Sequence, residues 1–187
     1  MPSEEALLSR TVLDEVIEMQ AGLAPDPQHS WSGYVNTWYQ ERWTSIVDEV
    51  RDVGAEGLVE VCSRLLAMHD GPDLPETDLV HGDFRLSNVL FVGDRVAGVV
   101  DIEAVGSGSR VFDYATTLDC RAADDDAIAF LVGAAVRAGG RGALARCLVH
   151  VFLDLVLFVR DHPETLTSPA GRARELAERV RLVSESP

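Results

Sequence analysis

The sequence predicts a mostly helical α+β domain with one β-hairpin inserted in its middle. Three observations carry that reading. Apolar residues recur at helical spacing on both sides of the centre of the chain. Between them lies a strand-like stretch from Asn88 to Ile102, rich in valine and turning at Gly93-Asp94. Glycine and proline mark the joints. One domain accommodates 187 residues, and a hydrophobic fraction of 47% supplies its core.

The first helix is expected from Ser3 to about Ala21, with Leu7, Leu8, Val12, Ile17 and Met19 at helical intervals. Two glutamates after Ser3 suit the positive end of its dipole. Ala24-Pro25-Asp26-Pro27 breaks it. A second helix, from about Ser32 to Val53, carries Trp38, Trp43, Ile46 and Val50 and stops at Gly54. A third spans Leu58 to His69, before Gly71-Pro72. Leu79-Val80 then leads into His81-Gly82-Asp83, followed by strands over Asn88–Val92 and Val96–Ile102. After Gly106-Ser107-Gly108-Ser109, helical periodicity returns over Val111–Leu118, Asp124–Ala138, Ala143–Asp161 and Gly171–Val183. His162-Pro163 ends the most apolar of these. The expected organisation is one domain over 1–187: helical in 1–78, loop and hairpin in 79–109, helical again in 110–187. A lone hairpin is marginal in water, so this one must pack on the helices.

Sixteen basic residues against thirty-one acidic ones give a formal charge of −15, a surface that repels a phosphate backbone and argues against nucleic-acid binding. Every basic residue is arginine; the chain has no lysine. Three scattered cysteines, Cys62, Cys120 and Cys147, form no C-x-x-C pair, which predicts a reducing compartment without disulfides or structural zinc. The amino terminus is acidic and lacks the apolar core of a signal peptide. The most apolar stretch, Cys147 to Val159, is interrupted by His150 and Asp154 and is too short to span a bilayer. A soluble, cytoplasmic protein with no membrane partner is expected.

Polar residues concentrate around the hairpin. Asp83 lies in the loop before it, Asn88 at the start of its first strand and Asp101 near the end of its second. Antiparallel pairing brings the start of one strand beside the end of the other, so Asn88 and Asp101 should meet at the mouth of the loop holding Asp83. An amide oxygen and a carboxylate converging on one point are hard ligands suited to Mg²⁺. A second carboxylate not committed to metal can accept a proton from a hydroxyl. An ionised Asp101 closing an apolar strand would be costly without a partner or metal. His29, His69, His150 and His162 show no metal-ligand spacing, and Trp31, Trp38, Trp43, Tyr34 and Tyr39 fall near helical spacing, which favours core packing, with part of the cluster open to a substrate.

His81-Gly82-Asp83-x4-Asn88 has the order and spacing of the protein-kinase catalytic loop. With Val99-Val100-Asp101-Ile102-Glu103, Gly108 and Phe112-Asp113-Tyr114-Ala115, it resembles the aminoglycoside phosphotransferase family of kinase-like small-molecule phosphotransferases more closely than protein kinases. That family has H-G-D for H-R-D and D-x-E or D-x-D for D-F-G. The resemblance covers the chain nearly end to end, as the family's carboxy-terminal lobe. It implies Asp83 as catalytic base, Asn88 and Asp101 as ligands of Mg²⁺ on ATP, and Glu103 as assisting a second metal or simply solvated. His81 and Asp113 would brace the loop. The implied partner is a small hydroxylated, cationic substrate such as an aminoglycoside. Similar folds serve choline, homoserine, macrolides and fructosamines, so the fold does not choose among them. Asp119, Asp124, Asp125, Asp126, Asp161, Glu164, Glu175 and Glu178 are candidate contacts for an amino group, the run Asp124–Asp126 also suiting a helix cap.

The resemblance also implies an amino-terminal lobe with a phosphate-covering loop, a strand lysine and most of the adenine pocket. Residues 3–70 read as helices, with neither G-x-G-x-x-G nor lysine. ATP binding is therefore expected to be weak and the chain alone very slow or inactive, because phosphoryl transfer relies on positioning. Two further readings stand beside this one: a non-catalytic small-molecule binder that keeps the acidic cleft, and an interaction module. In the last, a second copy or a partner protein covers the apolar face left by the missing lobe.

Overall fold

The computed structural model describes residues 15–23, 29–93, 95–120, 125–164 and 167–186. Of the first expected helix, residues 3–14 lie outside the described set, and 15–18 are helical. Helix α1, Trp31–Thr37, is capped by the Ser30 hydroxyl, which accepts from the Gly33 N–H. It widens into a π turn over Trp38–Arg42 and continues as α2, Trp43–Asp52. That turn gathers Trp38, Tyr39 and Trp43 into one aromatic cluster, with ring centroids 4.8 to 5.9 Å apart. Helix α3 follows, Glu56–Met68.

Four strands follow: β1, Asp78–Val80; β2, Val89–Val92; β3, Arg95–Val99; and β4, Gly106–Gly108. They form two separate antiparallel pairs, β1 with β4 and β2 with β3. Then come α4, Val111–Thr117; α5, Asp125–Asp161; and α6, Pro169–Glu185. Helix α5 is the core. It packs on α2, α3, α4 and α6, and Leu148, Phe152 and Val156 are fully buried. The two helices expected around residue 140 abut as one rod broken at Gly140, whose φ of 82° no other residue type adopts at ease. By length and composition α5 meets the requirement for crossing a bilayer, but 67% of its most apolar stretch is buried in the protein, as befits a helix apolar on all sides at the centre of a bundle.

Two sequence expectations need correction. The Gly106–Gly108 run reads as loop from its composition but is β4, fully buried, with Asp78 opposite Gly108 and Val80 opposite Gly106. Its glycines permit a close approach: a Cβ on Gly106 would stand 2.5 Å from the His29 carbonyl oxygen, which accepts from the Ser107 N–H at 2.8 Å. The second hairpin strand ends at Val99 rather than at Ile102. Asp101 falls past its end, in the left-handed region at φ 62°, followed by a 3₁₀ turn over Ile102–Ala104. Its carboxylate is exposed and bears no burial cost.

The Gly106 contact sets a test of this packing. Gly106→Ala should cost at least about 2 kcal/mol in urea unfolding, because backbone must move to admit the methyl. Gly98→Ala, where a Cβ meets nothing within 4 Å, should change stability by less than about 0.5 kcal/mol.

Candidate active site

The loop after β1 hangs from one buried side chain. Asp113, in the first turn of α4, is 0% exposed. Its Oδ2 accepts from the His81 N–H at 2.7 Å and from Gln20 Nε2 at 2.8 Å, and its Oδ1 accepts from the Gly82 N–H at 3.0 Å. Thr116 and Thr117 donate their hydroxyls to the Asp113 carbonyl at 2.9 and 2.8 Å, and Thr116 also to the Phe84 carbonyl at 3.0 Å. Burial pushes the Asp113 carboxyl up to about 6, with the His81, Gly82 and Gln20 donors pulling against it.

His81 joins the loop to the hairpin. Its Nδ1 accepts from the Asp83 N–H at 3.4 Å, which leaves the proton on Nε2 to be donated to the Val100 carbonyl at 2.9 Å. Gly82, at φ +86°, lies flat against Trp31; a Cβ there would sit 2.3 Å from the indole ring. That contact is the physical reason for glycine between His81 and Asp83.

Asp83, Asn88 and Asp101 are joined by short links. Asn88 Nδ2 donates to the Asp83 carbonyl at 3.0 Å, and the Asn88 carbonyl accepts from the Val100 N–H at 2.9 Å, one residue before Asp101. Committing Nδ2 inward leaves Oδ1 outward, touched by the Ser87 hydroxyl at 3.4 Å. The Asp101 and Glu103 carboxylates have no hydrogen-bond or ion-pair partner among the described residues. Among those residues no three His, Cys, Asp or Glu side chains cluster as a metal cage. An amide oxygen and an unpaired carboxylate on an open rim do not suit a closed structural metal site. Their oxygen chemistry would suit a hard cation that retains water ligands.

Asp83 Oδ1 accepts from Arg85 Nε at 2.5 Å. Together with Gly82 and Glu103 these residues border a cleft of about 620 Å³, whose other walls include Trp31, Tyr34, Phe112, His150 and Asp154. The Trp31 indole is fixed by donation to the Ala104 carbonyl at 2.7 Å and lies on Phe112, centroids 4.7 Å apart. Asp154 is open to solvent through the cleft mouth, yet its surroundings desolvate it and raise its carboxyl above the ordinary range, against the pull of Arg42. Asn88 and Asp101 are not part of this lining.

Among the described residues, the acids named as candidate contacts for an amino group are not in the lining of this cleft. Asp119 and Glu175 pair with Arg172, Glu178 with Arg181, and Asp161 with Arg160. Asp125, Asp126 and Glu164 do not line the cleft, and Asp124 lies outside the described residues. The acid that does line it from α5, Asp154, was visible in the sequence only as an interruption. His150 and Asp154 are the two polar breaks in Cys147–Val159, four residues apart, the interval that places both on one face of a helix. Arg85, two residues after Asp83, was also passed over.

A model of the phosphotransferase enzyme family matches residues 12–148 of the chain. Over 66 residues the chain is 36% identical to an aminoglycoside 3'-phosphotransferase of Escherichia coli, a match spanning 35% of this chain and 22% of that relative's length.

The buried carboxyl of Asp113 sets a pH test. With its folded value raised from 3.8 to about 6, the native state binds this proton more tightly than the unfolded chain. Its contribution to stability is greatest below pH 4 and is lost as pH rises through 6. The stability of the wild type relative to Asp113→Asn should fall by up to about 3 kcal/mol across that window in denaturant titrations. A difference that rises with pH would mean that the donors outweigh burial.

Proposed function

The chain belongs to the phosphotransferase enzyme family, and on that premise we propose that it transfers the terminal phosphoryl group of ATP to a hydroxyl of a small, cationic, hydroxylated acceptor of the aminoglycoside kind. The observation that carries this reading is the Asn88 carboxamide. Its side-chain nitrogen ties the Asp83 carbonyl, and the Asn88 backbone carbonyl accepts from the Val100 N–H, one residue before Asp101. One residue thereby couples the placement of the proton acceptor to the placement of the cation ligands.

In this reading Asn88 Oδ1 and Asp101 would hold Mg²⁺, with Glu103 close enough in sequence to assist or to face the acceptor. A bound divalent cation there supplies charge neutralisation along the phosphate chain. Asp83 does the rest of the chemistry at the acceptor. Arg85 occupies Oδ1, so Oδ2 remains to accept the hydrogen bond of the substrate hydroxyl, aim its oxygen and take its proton as the acceptor oxygen bonds to phosphorus and the bond from phosphorus to the departing ADP oxygen breaks. The Arg85 guanidinium, placed at that same carboxylate, is the arginine that lines the cleft and adds positive charge on the acceptor side. His81 and Asp113 hold the loop in this geometry. The cleft beside Asp83 offers aromatic faces and the Asp154 carboxylate to an ammonium-bearing acceptor.

In this reading the chain supplies the carboxy-terminal lobe of a kinase-like enzyme. With no lysine in the sequence, efficient transfer should depend on a nucleotide-positioning segment acting in cis or in trans. A binder without chemistry is the second reading, favoured by the absence of Asn88 and Asp101 from the cleft lining.

Two measurements separate these readings. Mn²⁺ with ATP should broaden the amide resonances around Asn88 and Asp101, and Asp101→Ala should remove the effect. Phosphate transfer to kanamycin, assayed with an amino-terminal lobe from a relative added in trans, should fall about 10²- to 10⁴-fold in Asp83→Asn. No broadening, or transfer indifferent to Asp83→Asn, would contradict the catalytic reading.

A further inference from the structure

One buried polar side chain in the cleft wall has no role in the chemistry above. His150 is 3% exposed, and neither ring nitrogen has a hydrogen-bond partner among the described residues. Its neighbours are rings: Tyr34 at 5.3 Å and Trp38 at 4.9 Å, both edge to face, and Phe112 at 5.9 Å. Leucine at this point of an apolar helix would avoid leaving an imidazole nitrogen unsatisfied. Nδ1 is sealed from solvent without a partner, whereas Nε2 is not. An orphaned acceptor is more tolerable in a protein interior than an orphaned N–H, so the lone pair belongs at Nδ1 and the proton at Nε2. Burial and the charge of Arg42 lower the imidazole to about 4, which keeps it neutral and harmless to a cation nearby.

We propose that His150 is a specificity-determining contact of the acceptor site, donating from Nε2 to an oxygen of the bound substrate while Asp154, one helical turn along the same face, takes the substrate's ammonium group. The acceptor is then recognised as a hydroxylated amine by two groups one turn of α5 apart, between the aromatic faces of Trp31 and Tyr34. This inference rests on the reading of the cleft as the acceptor site. It concerns binding alone and involves no phosphoryl transfer.

The test is calorimetric titration of the full chain with kanamycin, without nucleotide. The wild type should bind. His150→Gln, which keeps an N–H at the end of the side chain, should bind within about threefold, and His150→Leu should weaken binding at least about tenfold. His150→Leu should melt no lower than the wild type, since it removes an unsatisfied polar atom. Kanamycin binding unchanged in His150→Leu, or absent from the wild type, overturns the proposal. If His150→Leu does not fold, ¹⁵N spectra of the wild-type histidines decide: the Nε2 resonance of His150 moves on adding kanamycin, and a resonance that stays fixed overturns the contact. Because no ATP is present, failure here leaves the roles of Asp83 and Asp101 intact, and failure of phosphate transfer leaves this result standing.

Discussion

The carboxylate of Asp113 is the fixed point of the site. It is wholly buried in α4 and takes the amide hydrogens of His81 and Gly82 on its two oxygens. A loop backbone exposes such donors, and burying them elsewhere without an acceptor would be costly. Anchored there, the loop has little freedom at its first two residues, and everything downstream is counted from them. Asp83 is delivered toward the cleft, Phe84 is driven into the core, and the turn over Leu86–Asn88 returns the amide of Asn88 to the Asp83 carbonyl. The proposed chemistry inherits its precision from a residue that takes no part in it.

Two elements with different physics meet at that loop. The hairpin side is small, polar and open, and carries the Asn88 carboxamide and the exposed Asp101 carboxylate. The helical side is aromatic and concave, with Trp31, Tyr34, Phe112 and two polar side chains from α5, as a site for a small organic cation requires. Asp83 borders the second and is hydrogen-bonded through its carbonyl to the first, so it joins the two sides. Every Lys or Arg position of the chain is arginine, and Arg85 shows the consequence: the cation paired with Asp83 is a planar fork rather than a flexible ammonium.

Much of this was legible in the sequence because it follows from spacing. The x4 interval between Asp83 and Asn88, and the apolar runs flanking Gly93, give the loop, the hairpin and the Asn88–Val100 backbone link that the structure contains. What escaped depends on contacts between distant residues. The Gly106–Gly108 run looks like linker, and only its burial against β1 and the His29 carbonyl makes it a strand. Asp101 looked like the costly end of an apolar strand, but a left-handed residue turns its carboxylate to solvent. Asp154 and His150 were read as flaws in an apolar helix. Their shared face becomes meaningful once Trp31 and Phe112 close a cleft over it, and helical periodicity carries no record of what lies opposite a helix.

The dependence of the site on Asp113 is most directly measured by amide hydrogen exchange in the loop. The amides of His81 and Gly82, bonded to a buried carboxylate, should exchange far more slowly than those of Arg85 and Ser87 in the same loop, and Asp113→Ala should abolish that difference while α5 stays protected. Exchange at His81 and Gly82 as fast as at the exposed loop positions would contradict the anchoring, and with it the geometry from which the proposed phosphotransfer follows.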